Sequence, residues 1–400
     1  MARVKNPLNV AMVGAGMIRF GELFEKSLED MIFESYENCL KSVDKGIEEN
    51  AIEAAWFGCC LPGTSLRKEI VSGATLSNAL TFYDKPVSRV ENACCTGSDA
   101  LRQAAFAIKA GVYDVVLVVG AEKMRDIPGR ESMIGQANTS YHQWWHPRGL
   151  TGPAMYGQFG VAHMAKYGTK KEHFAMVAVK NHHNGTLDPY AHFQFEVTME
   201  QVMNAPMISW PLGLFDCCPT TDGAAAVILA SEDIARQFTD KPVYLWSSAL
   251  VCDDFYGHQK RHYYQWDTTT IASKTAYEIA GISPKDIDVA EIHDCFTCTE
   301  LIDYEDLGFC DRGKGGQWIE NGGPMLDGEI PCNVSGGLKS KGHPIGATGV
   351  AQACEIFWQL RGEAGKRQVK DPKIGLTHNL GGTGAVALVN IFGIEPRQVS

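Results

Sequence analysis

The chain has 400 residues, of which 45% are hydrophobic and 21% charged, and its formal net charge at pH 7 is −11. These values are typical of a globular protein with room for two or three packed units. The acidic balance argues against a nucleic-acid partner, because phosphate backbones require a basic face. No apolar run reaches the roughly 18 residues that a membrane-spanning helix needs, so we expect no association with a membrane.

The chain contains 13 cysteines. The first residues, MARVKNPLNVAMVGAGM, pass from a short apolar stretch into glycines without a cleavage site of small residues, so they predict a strand rather than a secretory signal. We therefore expect a cytoplasmic protein with reduced thiols. Cys295 and Cys298 form a single CxxC pair, which is weak support for zinc, so we predict no metal site.

The first third of the chain predicts alternating strands and helices. LNVAMVGAGM is an apolar run closed by glycines and predicts a strand, and residues 24–47 have apolar side chains at helical spacing. EAAWFGCC and KPVSRVENA predict two further strands, and the helix that follows Cys94 is expected to end at Gly111. DVVLVVGAE (114–122) is almost continuously apolar, as expected of a strand covered on both faces.

The last third repeats this order. Residues 268–280 predict a helix and residues 288–294 a strand, after which GHPIGATG leads into a helix over 347–361. The segments around IGLTHN and AVALVNIF predict a final pair of strands. Two similar series of strand–helix–strand units indicate a duplicated, layered α/β fold.

Residues 126–207 differ from both flanking regions. The segment is rich in His, Trp, Tyr and Gly and lacks strand alternation. It is too long for a plain loop in a compact protein. We expect an inserted subdomain that lies over a functional site.

Cys94 is the first candidate for chemistry. It follows an apolar strand and precedes TGSDALRQAAFAI, which places its sulfur at the N-terminus of a helix, where the partial positive charge favours the thiolate. A structural cysteine at a tight turn explains the same pattern equally well. Cys95 is the less favoured alternative nucleophile, since we expect it to pack into the interior.

Three further segments could supply partners for a thiol. His343 lies in a glycine-rich turn, and the proline after it keeps it out of helical geometry; it could deprotonate a thiol or simply bond to turn carbonyls. HDCF (293–296) ends an apolar strand, where open α/β sheets place their sites, and it supplies His293 and Cys295. The turn HNLGGTG (378–384) could donate backbone N–H groups to an oxyanion.

Together these motifs resemble the thiolase superfamily, and in particular the thiolases related to sterol carrier protein X. The resemblance runs over nearly the whole chain and includes ENACCTGSDAL, VVGAEKM, CCPTTDGAAAVILAS, EIHDCFT, GGLKSKGHPIGATG and THNLGGTGA. It implies two βαβαβαββ halves that form a five-layered α/β/α/β/α core with an inserted loop domain. The implied domains are residues 1–125 with 208–235 for the N-terminal half, 126–207 for the insertion and 236–400 for the C-terminal half.

The resemblance also assigns roles to residues. In the family's C-x-[S/T]-G motif the nucleophile is Cys94, and the histidine of the GHP motif is His343. Degradative thiolases have Asn-Glu-Ala-Phe where this chain has HDCF, and they have a Cys-x-Gly where this chain has His378-Asn379-Leu380. In the subgroup related to sterol carrier protein X, the acid/base cysteine is the one in HDCF. The assignment of this role to Cys295 therefore depends on the match to that subgroup. His293 would hold the enolate. The implied oxyanion hole consists of N–H groups of Cys94, Leu380 and Gly382.

The implied activity is cleavage, or formation by Claisen condensation, of a 3-oxoacyl-CoA through an acyl-enzyme on Cys94. Coenzyme A would be a co-substrate, with no tightly bound cofactor. Candidate contacts for its phosphates are Lys339, Lys341 and Arg148. Many aromatic side chains suggest a bulky acyl group such as that of 2-benzoylsuccinyl-CoA, although ordinary packing also accounts for them: Tyr141, Trp144, Trp145, Tyr156, Phe159, Phe255, Tyr256, Tyr263, Tyr264 and Trp266. Arg148, Lys260 and Arg261 could meet a carboxylate of such a substrate or the phosphates of coenzyme A, or simply face solvent.

The resemblance implies a homodimer or a dimer of dimers, with a small zinc-ribbon/OB-fold protein as a further partner. Three alternatives remain open. The protein could be an acetoacetyl-CoA thiolase of central metabolism, a retro-aldolase that cleaves a 3-hydroxyacyl-CoA without an acyl-enzyme, or a non-catalytic acyl-CoA-binding subunit. Retention of both thiols and of the GHP histidine argues against the last two.

Overall fold

A computed structural model of the protein describes residues 6–61, 71–127, 150–254 and 259–398. Within these ranges nine strands form one sheet in the order β3-β2-β4-β7-β1-β8-β11-β10-β9, and β5 and β6 form a separate ribbon. The strands are β1 (Val10–Met17), β2 (Ala54–Gly58), β3 (Val87–Val90), β4 (Val115–Glu122), β5 (Met207–Ser209), β6 (Leu212–Gly213), β7 (Gly223–Ala230), β8 (Val243–Cys252), β9 (Val289–Glu291), β10 (Ile374–Gly381) and β11 (Val386–Gly393).

The helices of the described ranges include long amphipathic elements and short turns that connect them. They are α1 (Leu28–Lys41), α2 (Gly73–Leu80), α3 (Thr96–Lys109), α4 (Gly152–Tyr167), α5 (Lys171–Leu187), α6 (Met199–Met203), α7 (Ala235–Phe238), α8 (Asp267–Ala280), α9 (Thr297–Asp306), α10 (Gly315–Glu320), α11 (Gly337–Ser340) and α12 (Ile345–Arg361). None of them combines the length and the apolar character needed to cross a bilayer.

The sheet consists of two halves with the same topology. In the N-terminal half β2 is parallel to β3 and β4, while β7 is antiparallel to β4 and β1. In the C-terminal half β9 is parallel to β10, while β11 is antiparallel to β10 and β8. The first strands of the halves, β1 and β8, pair with each other from Val10–Leu245 to Met12–Val243. The counterpart of β3 in the second half is reduced to one bridge between Ala290 and Cys332, and the predicted duplication is confirmed.

Helices α3 and α12 form the central layer of the molecule. They pack on each other, α3 against β2 and β4, and α12 against β4, β7 and β10. Helix α1 covers the outer face of the N-terminal half, and α8 covers β8 and β11. Strands β1, β4, β7 and β11 are buried along their whole length, which explains their continuous apolar sequences. The two halves of the sheet, with helices between them and on their outer faces, give the predicted order of helix, sheet, helix, sheet and helix layers.

Between β4 and β7 the described part of the insertion is mainly helical. Helix α5 packs on α9 and α11, and α4 packs on α9. The insertion therefore contacts the elements that follow β9 and precede α12, where the sequence predicts the site. Several predicted aromatic residues and one predicted phosphate contact lie outside the described residues: Tyr141, Trp144, Trp145, Arg148, Phe255 and Tyr256.

Strand β9 is shorter than the strand predicted over residues 288–294. It ends at Glu291, and the N–H group of Ile292 donates to the side-chain oxygen of Asn333 at 2.8 Å instead of joining a ladder. The HDCF segment thereby leaves the sheet and turns into α9, whose first residue is Thr297.

Candidate active site

Cys94 lies on a strained turn between β3 and α3. Ala93 has a φ of +49°, a left-handed conformation that costs a residue with a side chain about 1–2 kcal/mol. The carboxylate of Glu91 accepts the N–H group of Ala93 at 2.7 Å, and the N–H group of Thr96 donates to the Ala93 carbonyl at 3.0 Å. These bonds hold the turn in place, and Cys94 remains partly exposed at its tip.

The two adjacent cysteines point in different directions. Cys95 has no solvent exposure, and its sulfur donates to the carbonyls of Asn379, at 3.3 Å, and Val386, at 3.6 Å. It therefore packs against β10 and β11, whereas the sequence suggested that it packs against helices. Of the pair, only Cys94 can present its sulfur to a substrate.

His343 is held in one tautomer by its own turn. Its Nδ1 atom lies 2.7 Å from the hydroxyl oxygen of Thr348, and that hydroxyl donates its single hydrogen to the carbonyl of Pro344 at 3.0 Å. The Thr348 oxygen must then accept the Nδ1–H of His343. The lone pair is left on Nε2, which has no hydrogen-bond partner among the described residues.

His293 and His343 face the nucleophile together. The Cys94 sulfur and one ring nitrogen of each histidine all lie within 4.8 Å of one another, and the ring centroids are 5.1 Å apart. Both ring nitrogens of His293 lack partners within the described ranges. A thiol and two imidazoles at this spacing would also suit a zinc ion, whereas the sequence predicts no metal site.

Cys295 lies on the same side of the molecule, at the entry to α9. It is buried, and its carbonyl accepts the N–H group of Cys218 at 3.0 Å. Burial raises the pKa of the Cys295 thiol, negative charge on Cys218 or Cys94 raises it further, and a hydrogen bond with the Tyr156 hydroxyl lowers it. The charge of Cys94 acts on the Cys295 thiol, so the two sulfurs lie near each other.

The surroundings of Cys94 disfavour the resting thiolate expected from the sequence. Burial raises the pKa of Cys94 to about 12. The N–H groups of Gly382 and of Cys94 itself lower this pKa, and the negative charges of Glu122 and Glu91 raise it. Burial likewise lowers the pKa of His343 to about 3. Desolvation can shift a pKa by about 3–5 units. A helix terminus contributes only about 0.3–1 kcal/mol, which corresponds to a shift of less than one pKa unit. The resting pair is therefore a neutral thiol and a neutral imidazole.

The turn between β10 and β11 approaches the nucleophile closely. A side chain at Gly381 would meet the Cβ atom of Ala93 at 3.2 Å, so alanine there would push the two segments apart by a few tenths of an ångström. The N–H group of Gly382 reaches the Cys94 sulfur. Leu380, the other predicted donor in this segment, lies inside β10 opposite Ala387.

Glu122, which the sequence analysis did not select, ties three segments together behind the site. Its carboxylate accepts N–H groups from Cys60 at 2.8 Å, Leu61 at 2.9 Å and Gly346 at 2.9 Å. These bonds join the ends of β2 and β4 to the start of α12. A carboxylate at the end of the otherwise apolar run VVLVVGAE was the available signal.

Asp294, the residue between His293 and Cys295, organises the turn that leads to His343. Its carboxylate accepts the N–H groups of Leu338 at 2.6 Å and Lys339 at 3.1 Å, and the side-chain amide of Asn181 donates to it at 2.7 Å. The short helix α11 is therefore capped by HDCF, which links the two predicted motifs physically.

The prediction that Lys339 and Lys341 bind phosphates is wrong. Both side chains are buried. The Lys339 ammonium donates to the carbonyl of Cys217, and the Lys341 ammonium binds Ser335 at 2.7 Å and Glu291 at 3.3 Å. Because these groups already have internal partners, they are not available to a phosphate at the surface.

A neutral thiol–imidazole pair next to backbone N–H donors is suited to acyl transfer, and the duplicated five-layer architecture is that of thiolases. Family models agree. The thiolase N-terminal domain matches residues 10–209, and the thiolase C-terminal domain-like model matches residues 252–394. The chain belongs to the thiolase family and is an acyltransferase of that type, a class whose substrates are acyl-CoA and coenzyme A.

Full-length relatives support this assignment and its branch. The chain is 44% identical over 384 residues to an acetyl-CoA acetyltransferase of Methanothermobacter thermautotrophicus, covering 96% of this chain and 99% of the relative. It is 37% identical over 398 residues to sterol carrier protein 2 of Homo sapiens, covering 95% and 71%. The resemblance to the thiolases related to sterol carrier protein X is thereby confirmed.

Solved structures show the same fold. The Ltp2-ChsH2(DUF35) aldolase superposes with a TM-score of 0.85 at 24% identity, covering 98% of this chain and 100% of the other. Human mitochondrial 3-ketoacyl-CoA thiolase in complex with CoA superposes with a TM-score of 0.73 at 17% identity, covering 97% and 98%.

Proposed function

We propose that the protein cleaves a 3-oxoacyl-CoA with coenzyme A through an acyl-enzyme on Cys94. The observation that carries the proposal is the Cys94 sulfur within 4.8 Å of a ring nitrogen of His343, whose Nε2 atom has no hydrogen-bond partner among the described residues. A ring nitrogen of His293 lies within the same 4.8 Å, and the Cys295 thiol is near enough to interact with Cys94. This arrangement provides a nucleophile, a base, a hydrogen-bond donor for an enolate and a second thiol for proton transfer.

In the first half-reaction the Nε2 atom of His343 takes the proton of Cys94 as the sulfur attacks the 3-oxo carbon. The N–H groups of Cys94 and Gly382 stabilise the oxyanion. The bond between C2 and C3 then breaks, its electron pair passes to C2, and the acyl group stays on the sulfur. His293 holds the resulting enolate, and Cys295 protonates it.

In the second half-reaction the Cys295 thiolate removes the proton of coenzyme A. The new thiolate attacks the acyl-enzyme, and a second tetrahedral oxyanion forms against the same N–H groups. Collapse releases the acyl-CoA product, and His343 returns its proton to Cys94. The resting neutral pair is thereby restored, so the cycle consumes only the two substrates.

We further propose that the substrate is a 3-oxoacyl-CoA with an aromatic acyl group, such as 2-benzoylsuccinyl-CoA, which would give benzoyl-CoA and succinyl-CoA. Tyr156 and Phe296 lie at the two thiols with ring centroids 4.7 Å apart, and Trp266 lies 5.6 Å from Tyr156. Aromatic rings so placed can stack on an aromatic acyl group. Arg261 is exposed and free to meet a carboxylate, whereas Lys260 donates to Gly384 at 2.8 Å.

Two observations favour acetoacetyl-CoA as the competing substrate. The relative from Methanothermobacter thermautotrophicus is named an acetyl-CoA acetyltransferase. In addition, Phe159 stacks on Trp266 with centroids 3.8 Å apart, so part of the aromatic surface is already used in packing.

A substrate comparison decides between these acyl groups. Purified protein is offered 2-benzoylsuccinyl-CoA or acetoacetyl-CoA with coenzyme A, and kcat/KM is measured for each. We expect the aromatic substrate to be preferred by at least about tenfold, as one well-filled apolar pocket can provide. A preference for acetoacetyl-CoA would assign the short-chain activity instead.

The acyl-enzyme is tested with Cys94→Ser and with Cys95→Ser as its matched control. We expect the first variant to lose thiolysis by at least about 10³-fold and to show no acyl adduct by intact-protein mass spectrometry. The control keeps a donor for the carbonyls of β10 and β11 and should retain both. Turnover of a 3-hydroxyacyl-CoA without any adduct would indicate the retro-aldolase instead.

For the assembly, we propose a homodimer or a dimer of dimers that also binds a small zinc-ribbon/OB-fold protein. The segment around β5 and β6, where the insertion ends, exposes several large apolar side chains, namely Met207, Ile208, Trp210 and Leu214, and the aldolase of the same fold is named Ltp2-ChsH2(DUF35). Light scattering of the purified chain should give at least twice the monomer mass; a monomer would contradict the proposed self-association.

A further inference from the structure

Tyr156 lies where the insertion meets the site. It belongs to α4, is 6% exposed, and its backbone carbonyl accepts the Cys298 thiol at 3.6 Å. Ring contacts with Phe296 and Trp266 fix the orientation of the phenol. The hydroxyl is therefore held at a defined point rather than left free to rotate into solvent.

The Tyr156 hydroxyl has two partners. It donates to the backbone carbonyl of Gly382, and it is hydrogen-bonded to the Cys295 thiol. Gly382 is the residue whose N–H group reaches the Cys94 sulfur. One hydroxyl thus touches both the second thiol and the turn that faces the nucleophile.

A phenol has one hydrogen to donate, and this limits what the hydroxyl can do. When Cys295 is a thiol, the hydroxyl can accept the S–H hydrogen while it donates to Gly382. When Cys295 is a thiolate, the sulfur is an acceptor only, and the hydroxyl must turn to it and leave the Gly382 carbonyl. The two thiol states therefore require two different hydrogen-bond patterns.

We propose that Tyr156 is a positioning residue that couples the protonation state of Cys295 to the Gly382 turn. The inference rests on the proposed acid/base role of Cys295. In each half-reaction the thiolate forms or disappears, and Tyr156 stabilises it at the moment when the Gly382 carbonyl is released. The coupling needs no additional reactant, because only a hydrogen bond changes its acceptor.

Two hydroxyl groups reach the Cys295 thiol, that of Tyr156 and, at 3.9 Å, that of Thr299 in the first turn of α9. The titratable groups that face Cys295 from the neighbouring elements are Cys94 before α3, Cys218 before β7 and Cys298 in α9. Asp303, also in α9, faces the Tyr156 hydroxyl. The three thiols oppose a thiolate at Cys295 when they are ionised, and the hydrogen bond from the Tyr156 hydroxyl favours it.

The test compares Tyr156→Phe with Tyr277→Phe in the full chain. Tyr277 is a matched control, since it is equally buried and donates to the Leu307 carbonyl at 2.9 Å, away from both thiols. The rate of Cys295 alkylation by iodoacetamide is followed from pH 6 to 10 by peptide mass spectrometry. This readout does not require turnover, so it stays informative even if the proposed acyl-enzyme on Cys94 is wrong.

We expect Tyr156→Phe to shift the Cys295 alkylation profile to higher pH by about one unit, since a hydrogen bond to a charged group is lost. Tyr277→Phe should leave the profile unchanged. An unchanged profile in a folded Tyr156→Phe protein would overturn the inference. If that variant does not fold, 3-fluorotyrosine at position 156 replaces it: the more acidic phenol is a stronger donor and must shift the profile to lower pH, and absence of that shift would equally overturn the inference.

Discussion

Two opposing effects act on the sulfur of Cys94. The turn before α3 and the N–H group of Gly382 stabilise negative charge, while burial disfavours it, and burial prevails because it raises the pKa to about 12. His343, with a pKa near 3, stays neutral at any physiological pH. The base is therefore ready to accept a proton, and the thiolate forms only as the acyl carbon is attacked.

The sign of the Cys94 shift leads to a pH prediction. Because the folded-state pKa lies above that of a free thiol, near 8.5, the thiolate fraction rises about tenfold per pH unit up to pH 9 and beyond. Alkylation of Cys94 by iodoacetamide, followed by peptide mass spectrometry, should show this slope without a plateau below pH 9. The urea-unfolded chain serves as the control and should level off near pH 8.5. A plateau at neutral pH in the folded protein would restore the thiolate expected from the sequence.

Thr348 should determine the tautomer of His343. In Thr348→Val the shape is retained but the acceptor for Nδ1–H is lost, so the lone pair on Nε2 is no longer specified. We expect thiolysis to fall by about 10–100-fold, the range seen when a hydrogen bond that orients a histidine is removed, with little change in the free energy of unfolding.

The control for this variant is Thr275→Val. Thr275 makes the same backward bond, to the carbonyl of Ile271 at 2.8 Å, on an exposed face of α8. Its activity should match that of the unmodified protein. Equal losses in kcat for both variants would show that the Thr348 hydroxyl acts on helix stability rather than on His343.

At the scale of elements, the short helix α11 depends on one glycine. Gly337 has a φ of +57°, and a side chain there would lie 2.4 Å from the Asp294 carboxylate that caps the helix. Gly337→Ala combines the left-handed penalty with a broken cap, so we expect about 3 kcal/mol of lost stability. Activity should fall as well, because His343 follows this turn.

Gly111 provides the comparison for that variant. It ends α3 with a φ of +70° and has no atom within 4 Å of the added position. Gly111→Ala should lose only about 1 kcal/mol, measured by urea unfolding. Similar values for the two variants would argue against the Asp294 cap as the source of the difference.

Most elements were predictable because their patterns are local. The continuous apolar sequences of β1 and β4, the helical spacing of α1 and the apolar stripe of α3 each follow from a few neighbouring residues. The end of β9 was not predictable, since it depends on the side chain of Asn333, 41 positions after Ile292. The helices of the insertion were missed for a related reason: α4 and α5 lack a clear apolar stripe, because each packs on more than one side.

At the scale of the whole molecule, the halves meet through glycines. The carbonyl of Gly346, at the start of α12, would lie 2.4 Å from a side chain at Gly120 and 2.8 Å from one at Gly97. Gly346 also donates to Glu122. Close contact of β4, α3 and α12 therefore requires that these positions carry no side chain.

A single methyl group at this contact should separate the layers. For Gly120→Ala we expect a loss of stability of about 1–3 kcal/mol, or somewhat more, from overpacking, together with reduced thiolysis because α12 carries His343 at its entry. Thermal and urea unfolding measure the first effect. Gly21→Ala, where the added methyl group would meet only the side chain of Leu23 at 3.7 Å, is the control; a Gly120→Ala protein as stable as this control would contradict the close-contact account.

The sequence by itself determined the duplicated fold, the thiol on its turn, the GHP histidine and the HDCF segment, because each is specified by a short motif or a local periodicity. Tertiary structure alone decided the ionisation of Cys94, the internal partners of Lys339 and Lys341, and the roles of Glu122, Asp294 and Tyr156. Those properties depend on desolvation and on hydrogen bonds between residues far apart in the chain, and neither leaves a signature in the local order of amino acids.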